Sequence, residues 1–144
     1  MIEEPKWRAK RGLSGRIKRA AELARMRGGN PKGVLTILLA SDRKLKALNI
    51  TFRGKDKSTN VLSFPARGGD YLGDVAIAYG VTAKEARAQK KAFADHAIHL
   101  AVHGVLHLLG YDHETARAAR VMEPLETRIL GELDIDDPYA SKAA

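Results

Sequence analysis

Short apolar runs in the middle of the chain predict three strands. Residues 33–41 (GVLTILLAS) are apolar and rich in β-branched side chains, which is typical of a buried strand. Residues 60–66 (NVLSFPA) and 74–79 (DVAIAY) have the same character, and a glycine-containing turn separates them. We therefore expect a small sheet of three to four strands.

Apolar positions at helical spacing predict helices before, between and after these strands. A stripe of mostly alanine positions predicts a helix over 15–27, with Ser14 as its N-cap. Four more helices are predicted: one from Ser41 or Asp42 to Gly54, one from about Thr82 through 92, one over 94–109, and one from Thr115 to about 132. The mixture predicts an α+β fold, with about five helices packed on a small mixed sheet.

The segment 94–109 differs from the other predicted helices. Apart from its histidines and Gly104, it is almost wholly apolar. A helix that is apolar on all sides is buried in the middle of a domain. We expect a central buried helix that carries the histidines, inside one domain spanning residues 1–144.

Composition narrows the chemistry that this domain can use. The chain has no cysteine, which excludes disulfides and thiolate ligands, so any metal must be bound by His, Asp, Glu or water. There is no apolar run long enough to span a membrane, and residues 1–12 do not have the pattern of a secretory signal. We expect a cytoplasmic protein with no membrane partner.

The positive charge is concentrated near the N-terminus. The chain has a net charge of +8, and residues 1–35 contain ten Lys or Arg against three acidic residues. A basic face suggests a polyanionic partner, most simply nucleic acid. A solvated helix that keeps the protein soluble explains the same charges, so composition alone leaves both interpretations open.

The stretch HGVLHLLGYDH (103–113) carries the chemistry of a metal site. On a helix, His103 and His107 lie about 40° apart around the axis and ~6 Å apart along it. Gly110 can end the helix in a left-handed conformation and allow His113 to return as a third ligand. Three nitrogen ligands leave one tetrahedral position open, which is typical of catalytic rather than structural zinc.

Two neighbouring histidines complicate this assignment. His99 and His103 are also spaced by one helical turn, so a metal could bind one turn earlier. The helix-ending Gly110 favours the site at His103 and His107. We expect His99 to be a polar core residue or a neighbour in the same cleft, and His96 to lie near the surface.

Gly104 stands where zinc proteases of this spacing carry their catalytic glutamate. The glycine either makes room for a substrate beside the metal or allows close packing against another element. In both cases the general base of a peptidase is missing, which counts against peptidase activity.

Arg53 is the candidate cation for phosphate chemistry. It ends a predicted helix before Gly54, and its planar guanidinium suits phosphate oxygens. It could equally complement the C-terminal end of that helix.

Several strings closely resemble the YbeY-type endoribonucleases, which are bacterial 16S rRNA maturation factors. They are HGVLHLLGYDH, FRGKDKSTNVLSFP (52–65), LGDVAIA (72–78) and the tail DDPY (136–139). The whole matching region runs from about residue 33 to residue 139, most of the chain. It implies a cytoplasmic, single-domain, metal-dependent RNA hydrolase with specificity for single strands. The implied roles are 16S rRNA 3′-end maturation and ribosome quality control, with ribosomal RNA and the small ribosomal subunit as partners.

The resemblance also assigns residues. It implies that His103, His107 and His113 are the metal ligands and that Arg53 is the functional arginine in an RNA-facing cleft. Imidazole ligands suit one Zn²⁺ ion, although Ni²⁺ also takes them. A ribosomal protein or a GTPase stays open as a further partner, and Asp112 is expected to cap the turn rather than to orient a ligand.

Two further points remain open from the sequence. A non-catalytic ribosome assembly factor with a structural metal is the main alternative to an enzyme, and a metallopeptidase-like hydrolase is the weaker one. The family usually has a longer extended segment before its first helix than the seven residues MIEEPKW. The first strand is therefore expected to be short or missing.

Overall fold

The computed structural model describes residues 1–139, which form an α+β fold. A mixed sheet of three strands packs with five α-helices in these residues, as the sequence pattern predicted. In chain order the elements are a short 3-10 helix Pro5–Ala9, α1 Leu13–Arg27, β1 Val34–Ala40, α2 Asp42–Arg53, β2 Val61–Pro65, β3 Tyr71–Ala78, α3 Tyr79–Ala88, α4 Phe93–Leu108 and α5 Ala116–Glu132.

The sheet has the order β1-β3-β2, so β3 is its central strand. β1 pairs with β3 in parallel and β2 pairs with it antiparallel. Side chains of β3 alternate between two apolar layers, because successive residues of a strand point to opposite faces. Val75 and Ile77 belong to the larger core cluster with α4, whereas Ala76 and Ala78 pack with Leu45 of α2.

Helix α4 is the centre of the fold, as its apolar composition predicted. It contacts α1, α3, α5, β2 and β3, and Ala97, Ala101 and Val105 have no exposed surface. His103 and His107, two of the three predicted ligands, therefore lie on a helix that is packed by neighbours on most of its surface.

Gly104 lies where α4 packs closely against the sheet. A Cβ atom at this position would lie 2.5 Å from Cγ1 of Val75 and 3.2 Å from Cγ2 of Val61. The hydroxyl of Ser63 donates a hydrogen bond to the carbonyl of Gly104 at 2.8 Å. The glycine therefore serves close packing, and a glutamate at position 104 would collide with the sheet.

Two of the predicted helix starts were wrong. α1 begins at Leu13 with Gly12 as its N-cap, so Ser14 lies inside the first turn. α3 begins at Tyr79, and Thr82 is a buried residue of that helix whose hydroxyl donates to the carbonyl of Ala78 four positions earlier.

The other two predicted caps are confirmed. The hydroxyl of Ser41 accepts a hydrogen bond from the N–H of Lys44 at 3.1 Å, and that of Thr115 accepts one from Ala118 at 3.0 Å. Gly54 follows α2 with a φ of +65°, the left-handed conformation expected after a helix end.

The first strand is reduced to one bridge. Ile2 pairs in parallel with Leu39 at the outer edge of β1, and no longer pairing forms there within residues 1–139. Trp7 follows in the 3-10 helix, where it is 1% exposed and its ring N–H donates to the carbonyl of Ala40 at 2.9 Å. As far as residues 1–139 are concerned, the helices are too short or too polar to cross a membrane.

Candidate metal centre and its cleft

Three histidine side chains, from α4 and from the turn after it, converge. The Nε2 atoms of His103 and His107 lie 3.1 Å apart, and the three residues each offer a ring nitrogen within 4.8 Å of the others. The ring centroid of His113 lies 4.9 Å from that of His103. The structure therefore brings together the three residues that were predicted as ligands.

The turn after α4 returns His113 to the helix. Gly110 has a φ of +98°, in the left-handed region that favours glycine, and its N–H donates to the carbonyl of His107 at 3.0 Å. Asp112 accepts a hydrogen bond from the N–H of Glu114 at 3.1 Å. Asp112 thus caps the turn, in agreement with the expectation from the sequence.

The donor set fits a divalent transition metal. Burial and the neighbouring rings of His103 and His113 lower the pKa of His107 to about 4, so this ring is neutral at pH 7 and has a free lone pair. Two nitrogens that share a tetrahedral zinc ion are about 3.4 Å apart, given Zn–N bonds of about 2.0–2.1 Å. The observed 3.1 Å between His103 and His107 is close to that separation. His113 is exposed, so the site opens to the cleft.

A buried carboxylate from α5 lies behind His103. Glu126 has no exposed surface, and its Oε2 lies 3.3 Å from Nδ1 of His103 and 2.7 Å from Nε2 of His99. Burial alone would raise the pKa of Glu126, but the hydrogen bonds from His103 and His99 outweigh it and lower the pKa to about 2. An ionised carboxylate only accepts hydrogen bonds, so Nδ1 of His103 carries the hydrogen and its Nε2 lone pair faces His107.

The chain after α5 completes the surroundings of Glu126. The hydroxyl of Tyr139 donates to Oε1 of Glu126 at 3.0 Å, and burial together with the Glu126 charge raises the pKa of Tyr139. Oδ1 of Asp137 accepts hydrogen bonds from the N–H of Tyr139 at 2.8 Å and from the hydroxyl of Thr127 at 3.0 Å. Two residues of the string DDPY therefore help to hold Glu126, which in turn contacts His103.

A second group of potential ligands consists of His99, His103 and Glu126. Its 2.7 Å separation between His99 and Glu126 is a direct hydrogen bond, shorter than two ligands keep across a tetrahedral ion. Glu126 is fully buried, whereas His113 of the first group is exposed to the cleft. The geometry therefore favours His103, His107 and His113 over the site one turn earlier.

Arg53 lines the same cleft as the three histidines, a cavity of about 910 Å³. Its guanidinium Nη2 donates to the carbonyl of Ser63 on β2 at 3.1 Å, and the side chain is exposed. Lys91 is a second cation on the cleft wall. The lining contains no residue of α1, as far as the described chain shows, so the basic N-terminal helix lies outside the cleft.

The two additional histidines have different surroundings. His99 lines the cleft and hydrogen-bonds to Glu126, which fits the second of its two expected roles, a neighbour in the cleft rather than a polar core residue. His96 was expected near the surface, and this prediction was wrong because the residue is 4% exposed. Glu85 of α3, which packs against α4 at this point, forms a hydrogen bond of 2.9 Å with Nε2 of His96.

Glu126 is the site residue that the sequence reasoning missed. It shares the apolar side of α5 with Met122, Ile129 and Leu130, which have no exposed surface. A single acidic residue in an apolar helical stripe must be buried, and a buried carboxylate needs hydrogen-bond donors. That pattern in the sequence indicates a buried carboxylate, although it does not indicate which residues bond to it.

Comparison with known proteins identifies close relatives. The family model described as Endoribonuclease YbeY matches residues 4–134. The Endoribonuclease YbeY of Chelativorans sp. (strain BNC1) is 45% identical over 142 residues, covering 93% of this chain and 87% of the relative. The Endoribonuclease YbeY of Nitrobacter winogradskyi is 46% identical over 146 residues, covering 93% of this chain and 77% of the relative. A solution structure from Thermotoga maritima is similar with a TM-score of 0.60 and 26% identity, over 95% of each chain.

Proposed function

The chain belongs to the endoribonuclease YbeY family, and on this basis we propose that it is a metal-dependent endoribonuclease that cuts single-stranded RNA. The convergence of His103, His107 and His113 in one cleft with Arg53 carries the proposal. Imidazole nitrogens that can hold a metal ion, and a guanidinium beside them, are groups that suit phosphodiester hydrolysis.

The histidines and Arg53 have different roles in the proposed hydrolysis. Zinc held by His103, His107 and His113 would supply Lewis acidity, which lowers the pKa of water and polarises a phosphate oxygen. Arg53 donates hydrogen bonds to the phosphate oxygens and stabilises the negative charge that grows in the transition state. The attacking oxygen, from water or from the ribose 2′-hydroxyl, gives up its proton and bonds to phosphorus, while one phosphorus–oxygen bond breaks and the leaving oxygen takes up a proton.

Glu126 acts on the reaction only through histidines. Its carboxylate accepts the Nδ1–H of His103 and so fixes the tautomer and the direction of the ring. Tyr139 holds the other carboxylate oxygen, which keeps Glu126 in one position.

For the biological substrate we propose 16S ribosomal RNA, in 3′-end maturation and ribosome quality control on the small subunit in the cytoplasm. Family membership and the net charge of +8 support a polyanionic RNA partner. A ribosomal protein or a GTPase is a further partner to test. Zn²⁺ is the proposed ion and Ni²⁺ the alternative that imidazoles also accept. We propose one functional domain over 1–144, of which residues 140–144 lie outside the described residues.

The test uses a single-stranded fragment that contains the 3′ end of 16S rRNA. Protein stripped of metal by a chelator should not cut it, and added zinc should restore cutting. His107→Ala should not cut it with or without zinc, and a matched duplex should be cut less. Cleavage that survives both chelation and His107→Ala would overturn the metal mechanism. Tight binding to small subunits without any turnover would instead support a non-catalytic assembly factor.

A further inference from the structure

The cleft continues past the metal centre to a second cluster of polar side chains. The ring centroids of His103 and His99 are 6.3 Å apart, and those of His99 and His96 are 6.2 Å apart, so the histidines step along α4 away from the metal centre. At the far end, Glu85 and Asn60 line the same cleft. None of the roles proposed for hydrolysis uses this cluster.

Glu85 is held in place by donors from two other elements. Its Oε1 accepts a hydrogen bond from the side-chain amide of Asn60 at 3.1 Å and lies 2.9 Å from Nε2 of His96. Asn60 is itself fixed, because its Oδ1 accepts the N–H of Val61 at 2.7 Å and its carbonyl accepts the N–H of Ala78 at 2.9 Å. The carboxylate direction is therefore preset before any ligand arrives.

The second oxygen of Glu85 is the group that is left for a ligand. The bond from Asn60 to Oε2 is long, at 3.4 Å, and the Glu85 side chain is 33% exposed. A carboxylate has about four acceptor positions, of which Oε1 uses two here. Oε2 therefore retains capacity to accept a hydrogen bond from the cleft.

A carboxylate repels the phosphates of RNA, so it must meet another part of the chain. Bases that carry an exocyclic amino group present N–H donors, and Glu and Asp accept hydrogen bonds from the N4 amino group of cytosine. Uracil has a carbonyl oxygen in that place, which a carboxylate repels. Lys91, on the wall of the same cleft, supplies positive charge for a neighbouring phosphate.

We propose that Glu85, oriented by Asn60 and His96, is a specificity-determining residue that selects a base with an exocyclic amino group beside the cleaved bond. The inference deepens the proposed RNA cleavage and rests on it for its position relative to the cut. It assigns base selection to the far end of the cleft, separate from the metal ligands and Arg53.

The test compares an oligouridine with the same oligouridine that carries one cytidine. The wild-type enzyme should cut a bond next to the cytidine on the order of fivefold faster or more, by kcat/KM, than the equivalent bond in oligouridine. In Glu85→Gln the amide oxygen can keep the bonds to Asn60 and His96, whereas the NH₂ that replaces Oε2 donates instead of accepting. The preference should therefore fall to about one or reverse, while oligouridine is still cut.

Two comparisons make the outcome decisive. Glu132→Gln makes the same charge change outside the cleft, where Glu132 pairs with Arg27, and should keep the wild-type preference. Asn60→Ala retains the Glu85 carboxylate but removes a donor that orients it, so it should reduce the preference for cytidine. This variant provides the test if Glu85→Gln does not fold.

A binding measurement separates this inference from the proposed function. Metal-free wild-type protein should bind the cytidine-containing RNA more tightly than oligouridine by fluorescence anisotropy, and Glu85→Gln should not. If no RNA is cut, the proposed function fails while the binding measurement still tests Glu85. Equal cytidine-to-uridine ratios in wild type and Glu85→Gln, in cleavage or, failing that, in binding, would overturn the inference.

Discussion

Nδ1 of His103 lies 3.3 Å from a carboxylate oxygen of the fully buried Glu126, across the imidazole ring from the Nε2 atom that faces His107. The ring is thus bonded on one side and free to donate its lone pair on the other. Since Glu126 belongs to α5 and His103 to α4, the metal centre depends on how these two helices pack.

Glu126→Gln should weaken metal binding by about 10–100-fold, which is the usual effect of losing a carboxylate that orients a ligand histidine. The amide retains the volume but loses the charge that holds the Nδ1–H of His103. Zinc affinity is measured by competition with a chromophoric chelator. Glu132→Gln, on the exposed part of the same helix, serves as the control and should bind zinc as the wild type does. Equal affinity in Glu126→Gln would show that the hydrogen bond does not position the ring.

Arg53→Ala should lower kcat for RNA cleavage by about 10²–10³-fold, because a charge-stabilising donor to the transition state is removed. Arg53→Lys should restore only part of the rate, since an ammonium cannot bond two phosphate oxygens as a planar fork does. Zinc affinity should be unchanged in both variants. Arg43→Ala, exposed at the start of the same helix and absent from the cleft lining, is the matched control. A loss of zinc binding in Arg53→Ala would contradict this division of roles.

The fold class could be predicted from the sequence because its signals are local. The short apolar runs of the strands and the apolar composition of α4 depend on neighbouring residues alone. Cap positions were harder, since a hydroxyl near a helix start fits either the cap or the first turn. At α1 the left-handed Gly12, with a φ of +72°, takes the cap position and Ser14 falls inside.

The residues of the candidate site likewise fall into two groups, those that local sequence predicts and those that depend on tertiary packing. The three ligand histidines lie within eleven residues, so helical geometry and one glycine turn were enough to bring them together. Glu126 and Tyr139 reach the site only through the packing of α5 and the chain after it, which no local pattern specifies. Glu85 and Asn60 meet His96 for the same tertiary reason, and His96 was therefore expected in the wrong place.

His96 should make the stability of the protein fall on acidification. Burial lowers the pKa of His96 below its ordinary value of 6.5, against the opposing effect of Glu85, while His99 and Lys91 also disfavour its charge. Between the lowered folded pKa and 6.5 the unfolded chain binds more protons, so the free energy of unfolding decreases as pH falls through that window. His96→Gln lacks this proton uptake. We therefore expect the difference in free energy of unfolding, by which the variant is less stable than wild type, to become smaller from pH 7.5 to pH 5.5.

Urea unfolding of the two metal-free proteins at both pH values measures this difference. The other histidines are common to wild type and variant, so their titration cancels to first order in the comparison. A deficit that stays constant or grows on acidification would mean that His96 is not held neutral in the folded protein.

Gly104→Ala should destabilise the protein although alanine favours helices. The new methyl group would lie 2.5 Å from Cγ1 of Val75, which is fully buried on the central strand and cannot move away cheaply. Overpacking of this kind costs about 1–3 kcal/mol and outweighs the gain of about 1 kcal/mol in helix propensity. Gly131→Ala is the matched control in α5, where no atom lies within 4 Å of the added methyl, and it should be neutral or stabilising. Urea unfolding of both variants measures this difference. If Gly104→Ala were as stable as Gly131→Ala, close packing against the sheet would not be the reason for the glycine. Room for RNA beside the metal would then be the better explanation.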